Sequence, residues 1–189
     1  MTKEEEYQNK IQQYSWKELL DLWKAIKADN TPGWGTGKAF EYLVLRAFQL
    51  EGAYVVWPYM VTIGELTKTE TKETAEQIDG FIHTVDGLAC LVECKDYGKD
   101  RVNVEPIAKL RNQLLRRPSV VIGIAFSRGG FTDPASLLAR FTAPQIILLW
   151  GGDEVEIALQ NQWFCKGLTA KYRVCVAKGL PDYHISHGV

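Results

Sequence analysis

Two strand-like runs, QIDGFIHTV (77–85) and LACLVECK (88–95), flank Asp86-Gly87, and this arrangement restricts the fold more than any other stretch of the chain. Asp-Gly between apolar runs is a hairpin signal. The hairpin is followed by NVEPIAKLRNQLLRR (103–117), helical in its periodicity and capped by Asn103. SVVIGIAF (119–126) comes next, a continuous apolar run of the kind found in strands buried on both faces. A helix over 132–141 with Pro134 in its first turn, a strand over 143–150 and a helix over 152–160 capped by Asp153 complete the series. A hairpin that continues into helix–strand crossovers gives a mixed sheet with helices packed on it.

Upstream, SWKELLDLWKAIKA (15–28) places Trp16, Leu19, Leu20 and Trp23 on one helical face, with Ser15 and Glu18 as a capping box. DNTPGWGTG (29–37) breaks the chain, and a second amphipathic helix starts at Lys38 and stops at Gly52. AYVVWPYMVTI (53–63) reads as a strand in which Pro58 marks an edge or a bulge, and 64–76 as a polar, mobile loop. The expectation is a single α/β domain over 1–189. It has an N-terminal helical extension (1–30), a core over 36–150, and a C-terminal helix and tail (151–189), the tail DYHISHGV being loose.

Composition excludes several classes. No apolar run approaches the length of a membrane helix, and the charged N-terminus does not resemble a signal peptide. Four cysteines with no CxxC pairing give neither a disulfide framework nor a zinc site, so a reducing cytoplasm is the expected compartment. Cys90 and Cys94 share the apolar strand face and are expected to be buried thiols. Net charge is −1, yet residues 95–140 hold nine Lys/Arg against four Asp/Glu. PGWGTGKAF fails as a nucleotide-binding loop, because Ala39 stands where Ser or Thr is needed and no strand precedes it. The helix N-terminus there, with Lys38 at its head, could still meet a phosphate. His184 and His187 lie in the tail without further metal ligands nearby, and His83 falls near the turn.

Chemistry enters at the strand end. Glu93 and Lys95 share one face of the second arm, and the first arm carries Asp79. A three-residue loop, Val85-Asp86-Gly87, pairs Thr84 with Leu88 and sets Asp79 opposite Glu93; a two-residue turn sends the two carboxylates to opposite faces. In the first register the paired acids suit a hard divalent cation, and such an ion lowers the pKa of the adjacent Lys95 ammonium.

Glu41 in GKAFEYLVLRAFQLEGAYV, Asp79 in EQIDGFI, and Glu93 and Lys95 in LVECKDYG resemble the PD-(D/E)xK nuclease superfamily, with the greatest similarity to its Mrr-like restriction endonuclease branch. The resemblance covers roughly 36–150 and implies a restriction-endonuclease-like α-β-β-β-α-β core. By it, Asp79, Glu93, the backbone carbonyl of Cys94 and Glu41 hold Mg²⁺ (Mn²⁺ as a substitute), and Lys95 is the catalytic amine. Ile78 departs from the proline of the motif's name, and Arg117 stands where some relatives of the Gln113 helix carry tyrosine. Lys38, Lys109, Arg116, Arg117 and Arg128 are the expected DNA contacts. The implied protein is a metal-dependent DNA endonuclease of the restriction or defence type, acting as a homodimer. The rivals are a repair nuclease of the same superfamily and a nucleic-acid-binding module without turnover.

Overall fold

The computed structural model describes residues 2–188. Three helices lead, α1 (Lys3–Gln12), α2 (Trp16–Lys27) and α3 (Lys38–Leu50), followed by β1 (Tyr54–Val56), β2 (Tyr59–Thr62), α4 (Ile63–Thr67), β3 (Thr74–Ile78), β4 (Gly80–His83) and β5 (Ala89–Lys95). The second half alternates: α5 (Val104–Leu114), β6 (Val121–Ser127), α6 (Asp133–Arg140), β7 (Ile147–Gly151), α7 (Gly152–Asn161), α8 (Phe164–Lys178) and a 3₁₀ turn over Ile185–His187.

The main sheet has the order β1-β4-β5-β6-β7, antiparallel up to β5 and parallel beyond it. This is the expected mixed sheet flanked by helices. Strand parity separates two cores. Cys90, Val92, Cys94, Ile124, Phe126 and Trp150 face α1, α2, α3, α7 and α8, whereas Leu91, Ala125, Ile147 and Leu149 face α5 and α6. Glycines set the closeness of two helices. A Cβ on Gly80 would lie 2.5 Å from Leu45 of α3, and one on Gly123 would lie 2.9 Å from Leu110 of α5.

The run 53–63 and the run 77–85 are each divided, where the sequence suggested single strands. β1 pairs with β4 in the main sheet, and β2 pairs with β3 in a separate two-stranded sheet. The register is the same on both sides of the break, which puts Pro58 opposite Asp79. Proline has no N–H to offer a ladder, so the break falls at Asp79, where the chain passes from one sheet to the other.

Within the N-terminal stretch, residues 3–12 form a helix closed by a Thr2–Glu5 capping box, with Ile11 in the core. Three further expectations are corrected. The polar stretch 64–76 holds α4 and the start of β3, because Thr62 and Glu65 cap a helical turn. At α7 the cap residue is Gly151, whose N–H donates to Glu154 at 3.0 Å, and Asp153 lies within the first turn. The tail is docked: Ile185 is buried and donates its N–H to Glu154 at 3.1 Å, and Leu149 N–H donates to Pro181 O at 3.0 Å. Val189 of that tail lies outside the described residues.

Candidate active site

The hairpin adopts the odd-loop register. Gly87 takes φ +87°, its N–H donates to Thr84 O at 2.9 Å, and Thr84 N–H donates to Leu88 O at 3.0 Å. Pairing of Gly80 with Val92 then carries Asp79 opposite Glu93. Both carboxylates are buried, Glu93 to 1% exposure. Asp79 Oδ2 accepts the Cys94 N–H at 2.9 Å, a bond available because Asp79 lies beyond the β4 ladder.

Three lysines neutralise the acids. Lys95 Nζ lies 2.6 Å from Glu93 Oε1 and 3.8 Å from Asp79 Oδ2, and donates to the Cys94 carbonyl at 3.3 Å. Lys109 of α5 donates to both oxygens of Glu93, at 3.1 and 2.9 Å. Lys38 lies 2.8 Å from Glu41 at the head of α3, on the other side of the sheet. Burial, then the charge of Asp79, push the Glu41 carboxyl up to about 7, against the opposing pull of Lys38 and Lys95. The Lys95 ammonium is raised rather than lowered. Burial disfavours its charge, but Asp79 and Glu93 outweigh burial. The expected lowering required a neighbouring divalent ion, and two carboxylates act in the opposite sense.

Oxygen donors of this type suit a hard divalent cation, and the Glu41 carboxyl, raised first by burial and then by Asp79, is drawn back toward its charged form by added positive charge. In the geometry present, no group of three His, Cys, Asp or Glu side chains among the described residues could hold a metal ion. Both oxygens of Glu93 are engaged by ammonium groups, those of Lys95 and Lys109. The donor chemistry fits the ion.

The basic residues divide. Lys38 and Lys109 adjoin the acid cluster. Arg116 and Arg117 instead grip Glu76 of β3, Arg117 at 2.8 Å, and Arg117 also donates to Gln113 O at 2.6 Å. Arg128 is buried against Asp29, the Ile26 carbonyl and Asp96, the last at 2.7 Å. The glycine that follows it serves a backbone contact, since a Cβ on Gly129 would lie 2.2 Å from the Asp100 carbonyl oxygen. His83 is exposed at the turn end of the hairpin, away from Asp79. Cys90 and Cys94 are buried core thiols pushed upward by desolvation.

Two residues named from the sequence take roles that it did not assign. Buried Gln113 donates to the Gln77 carbonyl at 3.0 Å, two residues before Asp79. Lys109, expected among the DNA contacts, falls between the buried positions Pro106 and Gln113 at helical spacing, a signal that it leans inward.

Comparison with known families matches a restriction endonuclease model, Mrr_cat, over residues 35–157, a span that includes α3, the whole main sheet and α5. No curated protein and no solved structure matches the chain. The matched region carries Glu41, Asp79, Glu93 and Lys95 in the order and on the elements just described, and with more than half of its length covered the chain belongs to the Mrr-type restriction endonucleases of the PD-(D/E)xK nuclease superfamily.

Proposed function

We propose that this nuclease hydrolyses DNA phosphodiester bonds with a divalent cation, Mg²⁺ in the cell and Mn²⁺ as a substitute. The observation that supports this best is the convergence of Asp79 and Glu93, from neighbouring hairpin arms, within 4 Å of one amine, Lys95. Asp79, Glu93, the Cys94 carbonyl and Glu41 would hold the ion. When bound, a divalent cation supplies charge neutralisation at a phosphoryl group and lowers the pKa of water. The chain's own residues do the rest. Asp79 is oriented by the Cys94 N–H. Lys95, kept protonated by its two carboxylates, donates hydrogen bonds to a phosphoryl oxygen or to the attacking water. Lys38 at the head of α3 can meet a flanking phosphate by giving up Glu41 and Glu4, as Arg116, Arg117 and Arg128 could by giving up internal partners of their own.

We further propose that the chain works as one unit and as a homodimer. α1 and α2 share the core that backs α3, and two sites are needed to cut both strands of a duplex. The rival reading, a nucleic-acid-binding module without turnover, draws support from the two ammonium groups that engage Glu93. The deciding experiment is incubation with plasmid, linear duplex and single-stranded DNA, and with RNA, in Mg²⁺, Mn²⁺ or chelator. DNA cleavage that requires the ion and falls at least about a hundredfold in Lys95→Ala is expected. Cleavage that survives in chelator or in Lys95→Ala refutes the reading, and binding without cleavage under any ion favours the rival.

A further inference from the structure

We infer that Lys109 is a built-in counter-ion of the ion-free site, which stands on Glu93 in place of the charge a divalent cation brings and must leave before that cation can be held. Glu93 is almost completely buried, and a carboxylate in that position is tolerated only with partners for its charge. It has two. Lys95 bonds to one oxygen and is also tied to Asp79 and the Cys94 carbonyl, so it belongs to the constellation itself. Lys109 spans both oxygens and has no other ion-pair partner among the described residues.

The exposures of the two lysines differ in the same sense. The Lys95 side chain is 22% exposed and that of Lys109 is 41% exposed, so Lys109 enters from the solvent side of α5 and can turn back to it. Its stem is long and flexible, and an ammonium is stabilised by water once released. No backbone need move: departure of one side chain frees an oxygen of Glu93 while Asp79 stays fixed by the Cys94 N–H. The position of Lys109 is not accidental. α5 lies close over β6 because Gly123 carries no side chain, and Leu110, the next residue, fills that space. Arg111 lies two positions on and has no side-chain partner among the described residues.

Lys109 can compete only if Asp79 and Glu93 are ligands of the ion, as proposed above, and the test separates the two ideas. Mn²⁺ binding to the full, DNA-free chain is measured by calorimetry for wild type, Lys109→Met, Lys109→Arg and Arg111→Met, alongside Asp79→Asn. Melting temperature is recorded for each in chelator and in Mn²⁺. Lys109→Met keeps the apolar stem and is expected to bind Mn²⁺ on the order of tenfold more tightly. It should melt lower than wild type in chelator and gain more from added Mn²⁺. Lys109→Arg restores the competing charge and binds no more tightly than wild type. Arg111→Met removes an equal charge without touching Glu93, and is expected to change affinity by less than about threefold. Unchanged Mn²⁺ affinity in Lys109→Met, when wild type binds and Asp79→Asn does not, overturns the role of Lys109 alone. An equal gain in Arg111→Met also overturns it, as a bulk-charge effect. Absence of Mn²⁺ binding in both wild type and Lys109→Met overturns both the ion site and the competition for it.

Discussion

Two buried glutamates meet cations from the same helical segment and are treated differently by it. Glu76 of β3 is held by Arg116 and Arg117, just past the end of α5, in a region with no second carboxylate among its partners. Glu93 of β5 is held by Lys95 and by Lys109 from the middle of α5, with Asp79 beside it and Glu41 within electrostatic reach. Guanidinium groups keep their charge and match a carboxylate with a planar fork, so the Glu76 cluster is a lock. It ties the β2–β3 sheet to the helix, and Gln113 adds a bond to the Gln77 carbonyl in the same place. Ammonium groups are point charges on mobile stems. The Glu93 cluster is therefore compensated without being fixed. One cluster is a lock, and the other is the one proposed above to be exchangeable.

The strongest way to break this contrast is to remove each carboxylate in turn. Glu93→Gln is expected to lower the DNA cleavage rate on the order of a thousandfold, with only a small fall in melting temperature. Glu76→Ala leaves two arginines without their partner. It is expected to cost about 3 kcal/mol, or roughly 6–12 °C in a chain of this size, while the folded protein still cuts. Thermal melts paired with rates normalised to folded protein decide the matter. Loss of both properties in both variants would mean that the two clusters are not separate devices.

The convergence of Asp79, Glu93 and Lys95 was legible in the sequence and the grip on Glu76 was not, for a physical reason. Asp79, Glu93 and Lys95 belong to one hairpin, and local rules govern hairpins: the αL glycine at Gly87 fixes the loop, the loop fixes the register, and parity fixes the faces. Glu76 meets Arg116 and Arg117 across 40 and 41 residues, and nothing local announces such a pair. The two arginines therefore stood among the expected DNA contacts. The tail was misread for the same reason. Its docking depends on Glu154, which pairs with the fully buried Lys171 at 2.7 Å and also accepts the Ile185 N–H. The loop 64–76 hid a different signal, since its many threonines and charges obscured a capping box that closes a single short helix.

A smaller perturbation tests whether α5 carries both clusters. Gly123→Ala puts a methyl group against Leu110 and Leu114, with close approaches of 2.9 to 3.1 Å. It is expected to cost about 1–2 kcal/mol by overpacking, and cleavage should fall although no charged residue has changed. A melt and a cleavage assay on this one variant suffice. Full activity with lowered stability would show that Lys109 and Glu93 tolerate a displaced helix.

The smallest expected effect is in acid, where the two environments have opposite signs. Burial works against the Glu76 charge, but Arg117 and Arg116 outweigh it and hold its pKa below the ordinary 4.5. A carboxylate lowered on folding stabilises the fold above its unfolded value, and that contribution is lost as pH falls below about 4.5. Glu41 is raised, so its protonated form favours the fold, and the ion-free protein loses that contribution as pH rises from 4.5 toward 7. Denaturant unfolding from pH 3 to 8 should therefore show the gap between wild type and Glu76→Gln narrowing at the acid end. The gap between wild type and Glu41→Gln should open between pH 4.5 and 7, with the variant the more stable. Parallel curves for wild type and both variants would mean that neither carboxyl feels its neighbours as the geometry requires, and the distinction between a lock and an exchangeable site would lose its electrostatic basis.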